Sequence, residues 1–156
     1  MNTTQITNIL SSDKFVAPVF GGTLALDELP TNIYDFPVCY CVNTATSNDD
    51  GEHWIGFYLK KMGHVEIFCS FGSSPELLST SKFIRRFLMI FGQQRIVYNK
   101  KYLQNLASSY CGFYVIFYLK LKCRKFSLYD FVNCFTRNGE SNDNIISFLI
   151  DKYIRL

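Results

Sequence analysis

A cysteine at position 111 is the side chain in this sequence best placed to act as a nucleophile. It directly precedes Gly112 and an apolar run over residues 113–119. Such a run predicts a buried helix over residues 112–122, beginning next to Cys111. The partial positive charge at a helix N-terminus lowers the pKa of a thiol, and the thiolate is the reactive form. Cys111 is therefore a candidate nucleophile, although most free cysteines are simply small buried residues.

Two further side chains could complete this chemistry. His53 lies where a polar loop meets an apolar strand, and its imidazole could take the thiol proton. Trp54 would flank the imidazole, shield it from water and line a substrate channel. Gln104 precedes Cys111 by seven residues, and its amide could stabilise an oxyanion together with the backbone N–H of Cys111. Gly112 would let a substrate backbone approach closely. Each residue taken alone also has an ordinary structural explanation.

The pattern of apolar residues and chain breaks around these side chains predicts an α+β domain, with a small central mixed or antiparallel sheet packed by helices. Residues 15–30 contain Gly21-Gly22 and two prolines and predict a loop. Residues 139–142 predict a break before the last helix. No linker or repeat divides the chain, which predicts a single domain over residues 1–156. Strands are predicted over 38–42, 54–59, 65–69 and 95–98, and helices over 3–10, 75–91, 112–122, 128–136 and 143–154.

The composition limits the class of protein. Among 156 residues, 48% are apolar and 17% aromatic, enough for a core without metals or disulfides. A net charge of +3 permits contact with nucleic acid but does not argue for it. None of the six cysteines forms a CxxC pair, so no metal or other cofactor is predicted. The polar N-terminus and the short apolar runs predict neither secretion nor a membrane span. We expect free thiols, an intracellular location and a monomer.

Taken together, the motifs resemble the adenain-like and SUMO-deconjugating cysteine proteases, over roughly residues 15–125. The resemblance implies Cys111 as nucleophile, His53 as base and Gln104 as oxyanion donor. It also implies a papain-like, circularly related fold with the nucleophile at the N-terminus of a buried central helix. The matching segments are Phe20-Gly21-Gly22, Asp27-Glu28-Leu29-Pro30, Cys41-Val42-Asn43-Thr44-Ala45, Gly51-Glu52-His53-Trp54, Ile67-Phe68-Cys69-Ser70-Phe71-Gly72 and Ser109-Tyr110-Cys111-Gly112-Phe113-Tyr114.

Two positions depart from the family pattern. Cys69 stands where the family has the acid that orients the histidine. Glu66 is the nearest acid before it, but it should face the other side of a regular strand. Without this acid, three possibilities stay open: a working Cys–His dyad, a slower enzyme or an engineered change. A strand bulge, a water or a loop residue such as Asn43 could instead take the place of the acid. Gln93 stands where the adenovirus branch has a cysteine for its activating peptide, so that covalent activation is not expected.

The resemblance favours a viral or virus-like endopeptidase that matures precursor polypeptides at Gly-containing sites, in the host nucleus or the virion. One alternative is a deconjugating protease for a ubiquitin-like modifier. Another is a pseudoprotease that binds without cleaving, because Cys69 replaces the acid. DNA or a peptide is a candidate activator. The candidate basic patch for DNA comprises Lys100, Lys101, Lys120, Lys122, Arg124 and Lys125.

Overall fold

The computed structural model describes residues 1–154 as an α+β arrangement built on one mixed sheet. The strands lie in chain order across it, with β1/β2 and β4/β5 parallel and the two central pairings antiparallel. The strands are β1 (Phe20–Leu24), β2 (Val38–Asn43), β3 (Trp54–Lys61), β4 (His64–Phe68) and β5 (Arg95–Tyr98). The helices are α1 (Thr3–Ser11), α2 (Pro75–Leu78), α3 (Lys82–Phe91), α4 (Cys111–Cys123), α5 (Leu128–Asn133) and α6 (Gly139–Tyr153).

Separate apolar cores cover the two faces of the sheet. Strand β2 is buried along its whole length, so its alternating side chains serve both faces. Cys39 and Cys41 share one face and join the core formed with α1, α4 and α5. Tyr40 and Val42 join the core on the opposite face, against α3. This arrangement places α4, which begins at Cys111, flat against the centre of the sheet.

The prediction that residues 15–30 form a loop is wrong for the segment Phe20–Leu24, which is strand β1. Its glycines misled the prediction, because Gly21 serves close packing and Gly22 has a φ of 139°, which favours glycine. A Cβ on Gly21 would lie 2.2 Å from the Tyr40 ring of the neighbouring strand. The register also shifts between Phe20 and Gly22, which marks an irregularity in the pairing.

Three predicted helix boundaries are also corrected. The helix predicted over 75–91 is divided between Leu78 and Lys82, because the backbone of Ser81 is extended (φ −69°, ψ 123°) and a new helix begins after it. The helix predicted over 128–136 ends at Asn133. The predicted break at 139–142 is the first turn of α6, capped by the Asn138 side chain. None of the helices among residues 1–154 is long and apolar enough to cross a membrane.

Candidate active site

The thiol of Cys111 lies at the first residue of α4, as the sequence predicts. It opens on a cavity of about 810 Å³ that His53, Trp54 and Gln104 also line. Cys111 is 8% exposed, so the sulfur is sheltered without being sealed off. The structure therefore brings four of the predicted site residues to one cavity.

His53 directly precedes β3, and its ring is held from two sides. The ring stacks on Phe71 with 4.7 Å between centroids. Its Nε2 lies 3.4 Å from Sγ of Cys69. Its carbonyl accepts a hydrogen bond from the backbone N–H of Thr44 at 2.8 Å, which anchors the loop before it. An Nε2–H that donates to Cys69 leaves the Nδ1 lone pair free to accept a proton.

Cys69, at the position of the family's acid, contacts the imidazole directly. It follows β4 and is 1% exposed. Its thiol also donates to Oγ of Ser73 at 3.4 Å, so the sulfur lone pairs can face the Nε2–H of His53. A neutral thiol can thus fix the imidazole tautomer, but it supplies no negative charge to stabilise an imidazolium.

Asn99, which the sequence reasoning missed, holds Cys69 in place. Its Oδ1 accepts from the Cys69 N–H at 2.9 Å, and its Nδ2 donates to the Cys69 carbonyl at 2.7 Å. Asn99 is 4% exposed and lies just after β5. A buried asparagine after a predicted strand was the available signal, but its partner lies 30 residues earlier. Nothing local in the sequence links the two.

Glu66 and Asn43, the other residues that could replace the missing acid, make their hydrogen bonds to groups other than the His53 imidazole. Glu66 faces the other side of the sheet, as expected, where it accepts from Tyr118 Oη at 2.6 Å and Lys122 Nζ at 2.8 Å. Oδ1 of Asn43 accepts from the backbone N–H groups of Ala45 and Glu52. Asn43 therefore closes the loop that leads to His53.

The amide of Gln104 has a fixed orientation at the cavity. Its Oε1 accepts from the Ser70 hydroxyl at 2.7 Å, and its Nε2 donates to the carbonyl of Ser108 at 2.8 Å. The backbone N–H groups of Leu103 and Gln104 both donate to the Ser70 carbonyl. Because an amide nitrogen carries two hydrogens, one donor remains for a group in the cavity.

The last helix braces the segment that carries Gln104. Asn142 donates to the Leu103 carbonyl at 2.9 Å. Asp143 accepts from the Asn105 N–H at 3.3 Å and from Tyr114 Oη of α4 at 2.8 Å. These contacts tie the oxyanion-donor candidate and the nucleophile helix to the same support.

Trp54 and Gly112 differ in their relation to the cavity. Trp54 lines it and is 8% exposed. A Cβ on Gly112 would point at Trp54, Ile6 and Met1, at 3.3 to 3.5 Å. The missing side chain therefore lets α1 and β3 pack against the start of α4. The contact of Gly112 with substrate stays a prediction.

Burial sets the resting charge of the two reactive groups. Burial raises the pKa of the Cys111 thiol, and the backbone N–H groups of Trp54 and Gly112 offset only part of that rise. Burial also lowers the pKa of His53 to about 4. Both shifts favour a neutral thiol beside a neutral imidazole at neutral pH. Such a pair would react by general-base removal of the thiol proton during attack.

Most cations of the candidate basic patch have partners within the molecule. Lys120 and Arg124 pair with Asp13, and Lys122 pairs with Glu66. The ammonium of Lys101 donates to the carbonyls of Val132 and Phe135. A nucleic-acid partner stays a prediction that these contacts do not favour.

Comparison with known proteins gives a partial structural likeness. No family model and no curated protein match the chain. A crystal structure of ASFV pS273R protease aligns with a TM-score of 0.45 and 22% identity, over 67% of this chain and 39% of that one. Its selenomethionine form gives 0.49 and 21%, over 76% and 44%. The chain spans less than half the length of either protease.

Proposed function

We propose that this chain is a cysteine protease of the adenain-like and SUMO-protease-like type, with a papain-like, circularly related fold. The observation that carries the proposal is the meeting of Cys111, His53 and the spare donor of Gln104 on one cavity. The thiol lies at a helix N-terminus, and the imidazole is held by Phe71 and by the contact of its Nε2 with Cys69, which leaves Nδ1 to accept a proton when Nε2 carries the hydrogen. These are the parts that acyl transfer to a thiol requires.

The reaction proceeds in two acyl transfers. His53 Nδ1 takes the proton of Cys111 as the sulfur bonds to the scissile carbonyl carbon. The backbone N–H of Cys111 and Nε2 of Gln104 donate to the resulting oxyanion. The intermediate collapses, the C–N bond breaks, and His53 returns its proton to the leaving amine. Water then attacks the thioester carbon and gives a proton to His53, the C–S bond breaks to release the acid, and His53 returns that proton to the Cys111 sulfur.

The substrate is proposed to be a precursor polypeptide of a virus or virus-like element, cut at Gly-containing sites. This choice rests on the motif resemblance of the Val42–Ala45 and Gly51–Trp54 segments to the adenovirus branch. Two substrates distinguish the maturation protease from the deconjugating protease: a fluorogenic Gly-Gly peptide and a ubiquitin-like modifier with a C-terminal fluorophore. Faster turnover of the modifier than of the peptide would favour the deconjugating protease.

A thiol-reactive peptide electrophile tests the nucleophile. We expect mass spectrometry to find one adduct on the wild-type protein, absent from Cys111→Ala. Cys134→Ala, which removes an exposed thiol, is the matched control and should label normally. His53→Ala should slow labelling and turnover by about a thousandfold, the usual scale for loss of a general base. An adduct that persists in Cys111→Ala would overturn the assignment.

Cys69 favours a second candidate, a pseudoprotease that binds polypeptides without cutting them. Cys69→Asp and Cys69→Asn distinguish it from a slow enzyme. If the wild type already turns over, the aspartate should raise the rate by about tenfold, because a carboxylate stabilises the imidazolium. The neutral asparagine should not. Failure of all three proteins to hydrolyse substrate or react with the electrophile would favour the binding module.

A further inference from the structure

Ser70 lies between the two halves of the candidate site. It directly follows Cys69, whose sulfur lies 3.4 Å from Nε2 of His53. Its own hydroxyl donates to Oε1 of Gln104 at 2.7 Å. Ser70 is 0% exposed and does not line the cavity that holds Cys111. Its hydroxyl can therefore influence the reaction only through the side chain that it contacts.

Two hydrogen bonds at opposite ends fix the plane of the Gln104 amide. The carbonyl of Ser108 can only accept, so the nitrogen end of the amide faces it, at 2.8 Å. The oxygen end is held by the Ser70 hydroxyl. A single bond at one end would let the amide swing about that contact, whereas bonds at both ends direct the second Nε2 hydrogen to one point. The direction of the spare donor thus depends on Ser70.

The hydroxyl of Ser70 can be removed while the backbone contacts of the same residue are kept. The Ser70 carbonyl accepts from the backbone N–H groups of Leu103 and Gln104, at 2.8 and 3.2 Å. An alanine at position 70 retains both bonds, because they involve no side-chain atom. It leaves Oε1 of Gln104, a residue only 1% exposed, without this donor. Ser70→Ala therefore isolates the contribution of one hydrogen bond.

We propose that Ser70 is a positioning residue that fixes the Gln104 amide with its spare N–H toward the oxyanion of the reaction. The inference rests on the proposed function, because that oxyanion forms only if Cys111 attacks a carbonyl. Ser70→Ala should lower kcat by about tenfold, less than the loss of about a hundredfold or more expected when an oxyanion donor is removed outright. KM should change less, since the contact is made mainly in the transition state.

A double-mutant cycle separates positioning from a general structural effect. Gln104→Ala should lower kcat by about a hundredfold or more. In that background Ser70→Ala should change kcat by less than about twofold, because no amide remains to be oriented. Ser81→Ala is the matched control and should leave kcat unchanged, since the buried Oγ of Ser81 has no hydrogen-bond partner among the described residues. An equal fall on Ser70→Ala in both backgrounds would overturn the proposal.

Hydrogen exchange of the Gln104 side-chain amide tests the same contact without catalysis. Its NMR resonances are identified by their absence from Gln104→Ala. Solvent exchange of these hydrogens should be about tenfold faster in Ser70→Ala than in the wild type, because an amide held at one end opens more often. Ser81→Ala should exchange like the wild type. Unchanged exchange in Ser70→Ala would overturn the proposal, whatever its kcat.

The two measurements distinguish the failure of either proposal. Faster exchange in Ser70→Ala, with no hydrolysis by the wild type, would refute the protease and leave the hold of Ser70 on Gln104 standing. Hydrolysis by Ser70→Ala at the wild-type kcat would refute the positioning role and leave the protease standing. Unchanged exchange together with no hydrolysis would refute both.

Discussion

The residue that most distinguishes this site is Cys69, which meets the imidazole where the proteases that the sequence motifs resemble have an acid. Its thiol can orient His53; Ser73 accepts a hydrogen bond from that thiol, and Asn99 holds the backbone of Cys69. What it does not provide is negative charge. The low pKa of His53 is therefore an effect of burial alone, and the raised pKa of Cys111 is an effect of burial that backbone N–H groups offset only in part.

The pH dependence of alkylation follows from this neutral resting pair. The rate of Cys111 modification by iodoacetamide should stay low through pH 5 to 7 and rise above the free-thiol midpoint of about 8.5, because the reactive thiolate forms late. In Cys69→Asp, a carboxylate beside Nε2 should raise the pKa of His53 and lower that of Cys111, so the rise should begin at lower pH. Fast alkylation of the wild type between pH 5 and 7 would contradict this.

At the scale of elements, α6 shows how a site depends on a segment outside it. Its first residue, Gly139, packs on the backbone before the nucleophile helix. A Cβ there would lie 2.8 Å from the Asn105 nitrogen and 3.0 Å from the Gln104 carbonyl carbon. These neighbours are backbone atoms, which cannot move away as the end of a flexible side chain can. Glycine is therefore required at position 139 for α6 to lie this close to the Gln104–Asn105 backbone.

Gly139→Ala should therefore displace Gln104 and weaken oxyanion stabilisation. We expect kcat to fall by about tenfold or more, with KM changed less, since the lost contact is made mainly in the transition state. Stability should fall by about 1–3 kcal/mol through overpacking. Asn144→Ala, at an exposed position of the same helix, should change neither. A Gly139→Ala enzyme with wild-type kcat would contradict the role of α6.

The sequence could predict those parts of the fold that local pattern determines. The strand pattern located β2 to β5, and the apolar run that follows Cys111 located α4. Gly21 and Gly139 were wrongly taken as signs of a loop and of a break, because both glycines allow close contacts with segments distant in the sequence. The support of Cys69 by Asn99 was missed for the same reason. Contacts made across long sequence separations leave no periodic signal.

At the scale of the molecule, Asp13 joins the N-terminal segment to the far end of α4. It is buried, and it accepts from Arg124 at 2.9 Å while Lys120 lies 3.4 Å away. Burial by itself would raise the pKa of Asp13. The hydrogen bond from Arg124, a backbone hydrogen bond from Phe15 and the charges of both cations outweigh that effect and lower it.

Asp13→Asn should reduce the free energy of unfolding by about 1–2 kcal/mol at pH 7, because it leaves the cations without their counter-ion. Because the pKa of Asp13 is lower in the folded protein, ionised Asp13 stabilises the fold at pH values above its unfolded-state pKa of about 3.8. That stabilisation is lost as the pH falls through the folded-state pKa. The difference in free energy of unfolding between the wild type and Asp13→Asn, measured by urea titration, should therefore become smaller below about pH 4. Asp35→Asn, at an exposed position, should show no such difference at either pH.

The brace from α6 also has a consequence for the order of synthesis. Asn142 and Asp143 support Leu103, Asn105 and Tyr114, yet they follow all three in the chain. A nascent chain that has emerged only to the end of α5 already contains Cys111, His53 and Gln104, but its Gln104 segment is bonded to Ser70 without the support of α6. For the proposed protease, a fully supported oxyanion donor would then arise only after α6 has been synthesised, which delays cleavage by the nascent chain.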